Sequence, residues 1–209
     1  SIPKTITDNG LTLPTDMPKG KIAITGATII TMKGDEVIEN GTVIIENNKI
    51  TAVGPEGQIA IPQDALQVDA GGKVVMPGII DTHAHLNAFR LGMSPQKEWP
   101  YYVNLAYGIT ATHDPSTTTE MALSQSEMVK AGNMVGPRIF STGTILYGAE
   151  GDFKAVINNY EDAKFSIART KAYGAFSVKS YNQPRREQRQ QVIKAARDLG
   201  IMVYPEGGS

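Results

Sequence analysis

The feature that most constrains this chain is a rhythm. Stretches with the composition of β-strands begin near Ile79, Ile109, Arg138, Ala175 and Ile201, roughly 26 to 37 residues apart, and helical sequence lies between them. One strand plus one helix fits each interval, and repeated βα units give a parallel sheet, either open and doubly wound or closed into a barrel. Thr117 followed by Glu120 reads as a capping box, and Asn159 followed by Asp162 resembles one. Pro184 suits the first position of a helix and Gly200 its end, with Val192, Ile193, Ala196 and Leu199 as the core-facing stripe between them. No GxGxxG or P-loop follows any of the strands, which weakens a nucleotide-binding reading.

The sequence before this rhythm has another texture. Residues 1–20 carry Pro3, Gly10, Pro14, Pro18 and Gly20 without a hydrophobic period and read as an extended arm or linker. Residues 21–73 are rich in short strand-like runs, with Asn47-Asn48 suited to a tight hairpin, and read as a small all-β module. Residues 74–209 hold the βα units. Five strand starts fall short of the eight that a closed barrel needs, so if the sheet is a barrel it is expected to be incomplete in this chain. Either a longer chain or a second chain is expected to cover its open edge.

Composition narrows the chemistry. With 41% hydrophobic and 20% charged residues in 209, the chain has an ordinary globular balance. A net charge of −1, and no basic run longer than Arg185-Arg186, give no sign of a nucleic-acid or anionic-membrane partner. With Arg189, that pair reads as a solvated helix face. No apolar stretch approaches a membrane span, and no signal peptide is visible. The absence of cysteine removes disulfides, thiolate ligands and thiol nucleophiles, leaving His, Asp, Glu and Lys as ligands and the compartment open.

Asp81-Thr82-His83-Ala84-His85 is the richest segment chemically. On a strand, Asp81, His83 and His85 share one face while Ile80, Thr82 and Ala84 share the other. Inward-facing imidazoles need a partner; a divalent metal at about 2.0 to 2.1 Å is one, and ordinary hydrogen bonds are another. Asp81, one step deeper, is expected to orient a ligand. His113 stands at the predicted end of the second strand, either facing substrate or bonded to a neighbouring loop. Trp99, Tyr101 and Tyr102 read as a helix packed on the sheet or as an aromatic substrate wall, and the glycine-rich stretch 143–152 as a mobile wall of the pocket.

The run Gly71-Gly72-Lys73-Val74-Val75-Met76-Pro77-Gly78-Ile79-Ile80-Asp81-Thr82-His83-Ala84-His85 closely resembles the metal-dependent amidohydrolase superfamily, and within it the imidazolonepropionase-like enzymes, including those that follow a TolB-like propeller. The resemblance runs from about Lys21 to Ser209. It implies an α/β fold in which a β-sandwich module precedes a (β/α)8 TIM-type barrel, here its first half. It also implies one or two divalent ions, zinc first and manganese or iron next. His83 and His85 match the first-strand ligands. Lys179, in Ala175-Phe176-Ser177-Val178-Lys179-Ser180-Tyr181, falls where such enzymes place a lysine that is often carboxylated. Glu206 stands where a histidine ligand is expected, a departure that leaves metal number and identity open. The general base is expected beyond Ser209.

The activity implied is hydrolysis of a C–N bond in an amide, cyclic amide or imidazolone-like small molecule by metal-activated water. The same scaffold serves an esterase or lactonase, and Glu206 also suits a noncatalytic binding or assembly member. A homo-oligomer is compatible with either. The compartment stays open between cytoplasmic and, if a propeller and signal peptide precede, periplasmic or secreted.

Overall fold

A computed structural model describes residues 14, 17–86, 95, 97–152 and 154–206. The arm expected over 1–20 lies almost wholly outside the described residues. Two compact units divide between Gly78 and Ile79.

In the first unit, β1 (Lys21–Ile30), β2 (Val37–Glu46), β3 (Lys49–Pro55), β4 (Leu66–Asp69) and β5 (Val74–Val75) form one sheet in the order β3-β2-β1-β4, with β5 also on β1. β1 and β2 are antiparallel, whereas β4 and β5 run parallel to β1. Asn47 and Asn48, at φ 49° and 65°, close a two-residue hairpin between Glu46 and Lys49. Asparagine tolerates that left-handed backbone, and two such residues match the twist of the flanking strands. Ala27, Ile29, Val43 and Ala70 make the small core.

The second unit alternates strands and helices: β6 (Ile79–Asp81), α1 (Trp99–Ala106), β7 (Ile109–Asp114), α2 (Thr119–Lys130), β8 (Arg138–Ser141), β9 (Ile145–Tyr147), β10 (Lys154–Val156), α3 (Tyr160–Ala172), β11 (Ser177–Ser180), α4 (Arg186–Asp198) and β12 (Met202–Pro205). The chain is therefore an α/β protein. Every strand pair of this unit is parallel, in the orders β6-β7-β8 and β10-β9-β11-β12. Val178 on β11 meets Ile167 of α3 and Val192 of α4 in the larger core, all fully buried. Complete burial of such side chains stabilises by at most about 2 to 3 kcal/mol each. A second core gathers Ala84, Leu86, Tyr101, Met134 and Ile139. Tyr101 thus packs inside, while Trp99 stays exposed.

Several local expectations need correction. The strand through 79–85 ends at Asp81, because the Asp81 side chain accepts the His83 amide at 2.9 Å and folds the chain into a turn over residues 82–83. The stretch 143–152 is not a free loop: β9 lies within it, paired to β10 and β11. Helix α2 starts at Thr119, with Thr118 rather than Thr117 at the N-cap and no side-chain cap bond. Pro184 precedes the N-cap Arg185 of α4 and is not its first helical residue. Asn159 caps as read, its Oδ1 accepting the Asp162 amide at 2.9 Å, and Gly200, at φ 61° just past the C-cap Leu199, ends α4 as read.

Candidate metal centre and substrate face

The C-terminal ends of β6, β7, β11 and β12 bring the candidate residues to one side. Just beyond β6, His83 and His85 are exposed, and their rings meet edge to face at 5.0 Å. Backbone bonds hold this segment in place: the Ala84 amide donates to the His113 carbonyl at 3.0 Å, and the Leu86 amide to the Asp114 carboxylate at 3.2 Å. Ala84, between the two imidazoles, and Leu86, just after them, are the buried anchors. Alternation thus survives past the end of the strand, with the histidines on the open side.

The expected phase at Asp81 is reversed. Ile80 and Thr82, and not Asp81, line the cleft shared with His113, Phe140, Phe176 and Tyr204. Asp81 touches the backbone of His83 and not its ring.

Lys179 is only 1% exposed on β11, and its ammonium is paired with the Glu206 carboxylate at the end of β12. The register that sets Lys179 against Tyr204 places both residues at that edge. The ammonium holds the Glu206 carboxyl below its ordinary range, with His83 and His85 adding to the effect. Four of the candidate residues therefore lie within one another's electrostatic reach.

Tyr204 was missed by the sequence reading, although it shares a strand face with Glu206 two residues on. Its hydroxyl donates to the Thr82 carbonyl at 3.2 Å and lies 3.2 Å from His83 Nδ1. With its proton spent on Thr82, the tyrosine oxygen accepts from Nδ1–H, an assignment that leaves the Nε2 lone pair of His83 free. The Lys179 ammonium lies 5.3 Å from the same ring.

His113 Nε2 is bonded to Ser177 Oγ at 2.8 Å, and its ring stands 5.1 Å from that of Tyr204. Burial pushes its pKa down, so the imidazole is neutral at pH 7. Asp114, next in sequence, was also missed. It is 1% exposed, accepts the Ser116 and Leu86 amides, and has its carboxyl raised by burial. Its role is to hold the histidine segment to β7.

The donor types suit a divalent metal: imidazole and carboxylate without thiolate. Among the described residues, however, no three His, Asp or Glu side chains close around a point. The set fits in chemistry and stays open in geometry.

No family model matches the chain. A 5-methylthioadenosine/S-adenosylhomocysteine deaminase of Symbiobacterium thermophilum is 39% identical over 66 residues, 31% of this chain and 15% of the relative. A dihydroorotase of Syntrophotalea carbinolica is 29% identical over 147 residues, 68% of this chain and 34% of the relative. Among solved structures, phenylurea hydrolase B superposes with a TM-score of 0.72 at 20% identity, covering 90% of this chain and 55% of that one. A Xaa-Pro dipeptidase with methionine bound gives 0.70 at 21%, covering 88% and 56%. Over these spans the chain is similar to members of the amidohydrolase superfamily. Members of that superfamily are generally metal-dependent. The chain spans between 15% and 34% of the length of those two curated relatives.

Proposed function

We propose that this chain is the N-terminal part of a metal-dependent hydrolase that cleaves a C–N bond in an amide, cyclic amide or imidazolone-like small molecule. The observation that carries this reading is the convergence of His83, His85, Lys179 and Glu206 from three strand ends, with His113 and Tyr204 beside them. In this reading residues 21–73 are part of a β-sandwich module and β6 to β12 are the first half of a (β/α)8 barrel. The remaining strands come from a longer chain or a second one. Ile80, Phe140, Phe176 and Met202, between 41% and 65% exposed along one cleft, support that reading, because such a surface is normally covered.

His83 and His85 would hold the metal, with Glu206 replacing an imidazole by a carboxylate. Lys179 would join them as the ammonium partner of Glu206 or, if its amine added carbon dioxide with loss of a proton, as a carbamate. Zinc is the first choice for this set and manganese or iron the next. When bound, the ion supplies a Lewis acid that polarises the substrate carbonyl and acidifies water. Tyr204 fixes the tautomer of His83, and Asp81 the backbone turn that presents it. Neutral His113, bonded to Ser177, offers a polar edge to the substrate. The proton acceptor lies outside the described residues, since Glu206 is occupied by Lys179 and Asp114 by two backbone amides.

The test is elemental analysis of the full natural chain and of its His83→Ala/His85→Ala variant, with a hydrolysis panel of amides and lactones. Metal lost in the variant together with amide turnover in the parent supports the reading. Turnover of lactones alone moves the activity to C–O bonds, and absence of metal from the parent leaves a noncatalytic binding member.

A further inference from the structure

A second cleft, of about 230 Å³, opens beside the candidate centre between the N-terminus of α2 and Lys154. Ser116, Thr117 and Thr118 form one wall, directly after β7; Lys154 and Tyr181 form another, with Tyr181 directly after β11. The cleft thus rises from the two strands that carry His113 and Lys179.

The polar groups here are unmatched. Thr117 is 8% exposed, and neither its hydroxyl nor that of Thr118 has a hydrogen-bond partner. A threonine hydroxyl left bare in such a place is unfavourable, and a ligand that bonds it removes that cost. The capping box that would have employed Thr117 does not form, and Glu120 turns instead to Arg169 at 3.3 Å. The Lys154 ammonium stands 5.0 Å from the ring centres of both Tyr147 and Tyr181 and, among the described residues, has no ion-pair partner. Two tyrosine faces hold a cation in place without neutralising it. Added to these is the positive end of a 12-residue helix. Asp152, also on the lining, supplies the one opposing charge and disfavours a dianion.

We propose that this cleft binds a free carboxylate on the substrate, so that the molecules hydrolysed are amides carrying an acid group close to the scissile bond. The inference rests on the hydrolase reading for the position of that bond. Lys154 supplies the countercharge, the Thr117 and Thr118 hydroxyls supply donors, and Asp152 restricts the site to a single negative charge.

The test is equilibrium binding to the full natural chain of two probes without a C–N bond: 4-oxopentanoate, the carbon analogue of N-acetylglycine, and 5-hydroxypentan-2-one, in which a hydroxymethyl group replaces the carboxylate. The acid is expected to bind about tenfold more tightly than the alcohol, and Lys154→Met to bring the two within about threefold. Thr117→Val, which keeps the side-chain shape, is expected to weaken the acid by about threefold and leave the alcohol unchanged. Equal affinity for the two probes, a preference that survives Lys154→Met, or tighter binding of inorganic phosphate than of the acid overturns the proposal. Neither probe is a hydrolysable amide, so a chain that binds the acid as expected but turns over no amide overturns the hydrolase reading alone.

Discussion

The two sides of the candidate centre are built in opposite ways. His83 and His85 stand exposed on a segment beyond the end of β6, a strand of three residues that, among the described residues, pairs only with β7. Lys179 sits on β11, where all four residues are buried between β9 and β12 and over α3 and α4. The strongest motif in the sequence therefore occupies the least constrained position, and the more ambiguous lysine the most constrained one. Residues of the first kind are free to serve chemistry alone, because the fold does not depend on their side chains. Those of the second kind, in the proposed reading, carry fold and chemistry together.

The sharpest way to break this contrast is to remove the histidines. His83→Ala/His85→Ala is expected to lose bound metal and at least about 10³-fold in turnover, equivalent to about 4 kcal/mol of barrier. Chemical denaturation of the same variant without metal is expected to shift by less than about 0.5 kcal/mol, as for other exposed substitutions. A larger shift would show that the histidine segment is structural after all. On the other side, Glu206→Gln leaves the Lys179 ammonium buried without its carboxylate and is expected to cost about 2 kcal/mol. Glu206→Gln matching the histidine variant in stability would erase the distinction.

A third substitution separates backbone from side chain in the wall beside both. Gly143 has φ +62°, and a Cβ there would come within 2.5 Å of Thr119 Oγ1. Gly143→Ala is expected to lower unfolding stability by about 2 kcal/mol through left-handed backbone strain and overlap with α2. Thermal unfolding of the variant checks it, and an unchanged midpoint would mean that β8, β9 and α2 yield at no cost.

How far the sequence was legible follows the same division. β6, β7 and β8 begin at Ile79, Ile109 and Arg138, as the spacing predicts, while β11 and β12 begin within two residues of Ala175 and Ile201. Apolar alternation records which face meets the helices, so strand starts are visible in one dimension. What happens past a strand's end is not. Asp81 looked like one more member of an alternating strand, but its short carboxylate reaches the amide two residues on and reverses the phase. Thr117 and Glu120 have capping spacing, yet packing against Thr144 starts the helix one residue later than that spacing implies. Tyr204 and Asp114 act through partners 121 and 28 residues away, a relation that no local pattern carries.

The smallest expected effect concerns His113, which belongs to the constrained side by burial and to the reactive side by position. Burial lowers its folded-state pKa below the ordinary value of about 6.5, so the unfolded chain takes up its proton first as the solution is acidified. Stability from this group is complete above pH 6.5, falls as the pH drops from there to the folded-state pKa, and is constant below it. His113→Phe removes the titration but also the bond to Ser177, so the comparison is between slopes and not between absolute stabilities. Denaturation midpoints measured from pH 7 down to pH 5 are expected to fall more steeply in the parent than in the variant, by less than about 1 kcal/mol in total. Parallel slopes would place His113 with the exposed pair, and a steeper slope in the variant would mean that the bond to Ser177 favours the imidazolium.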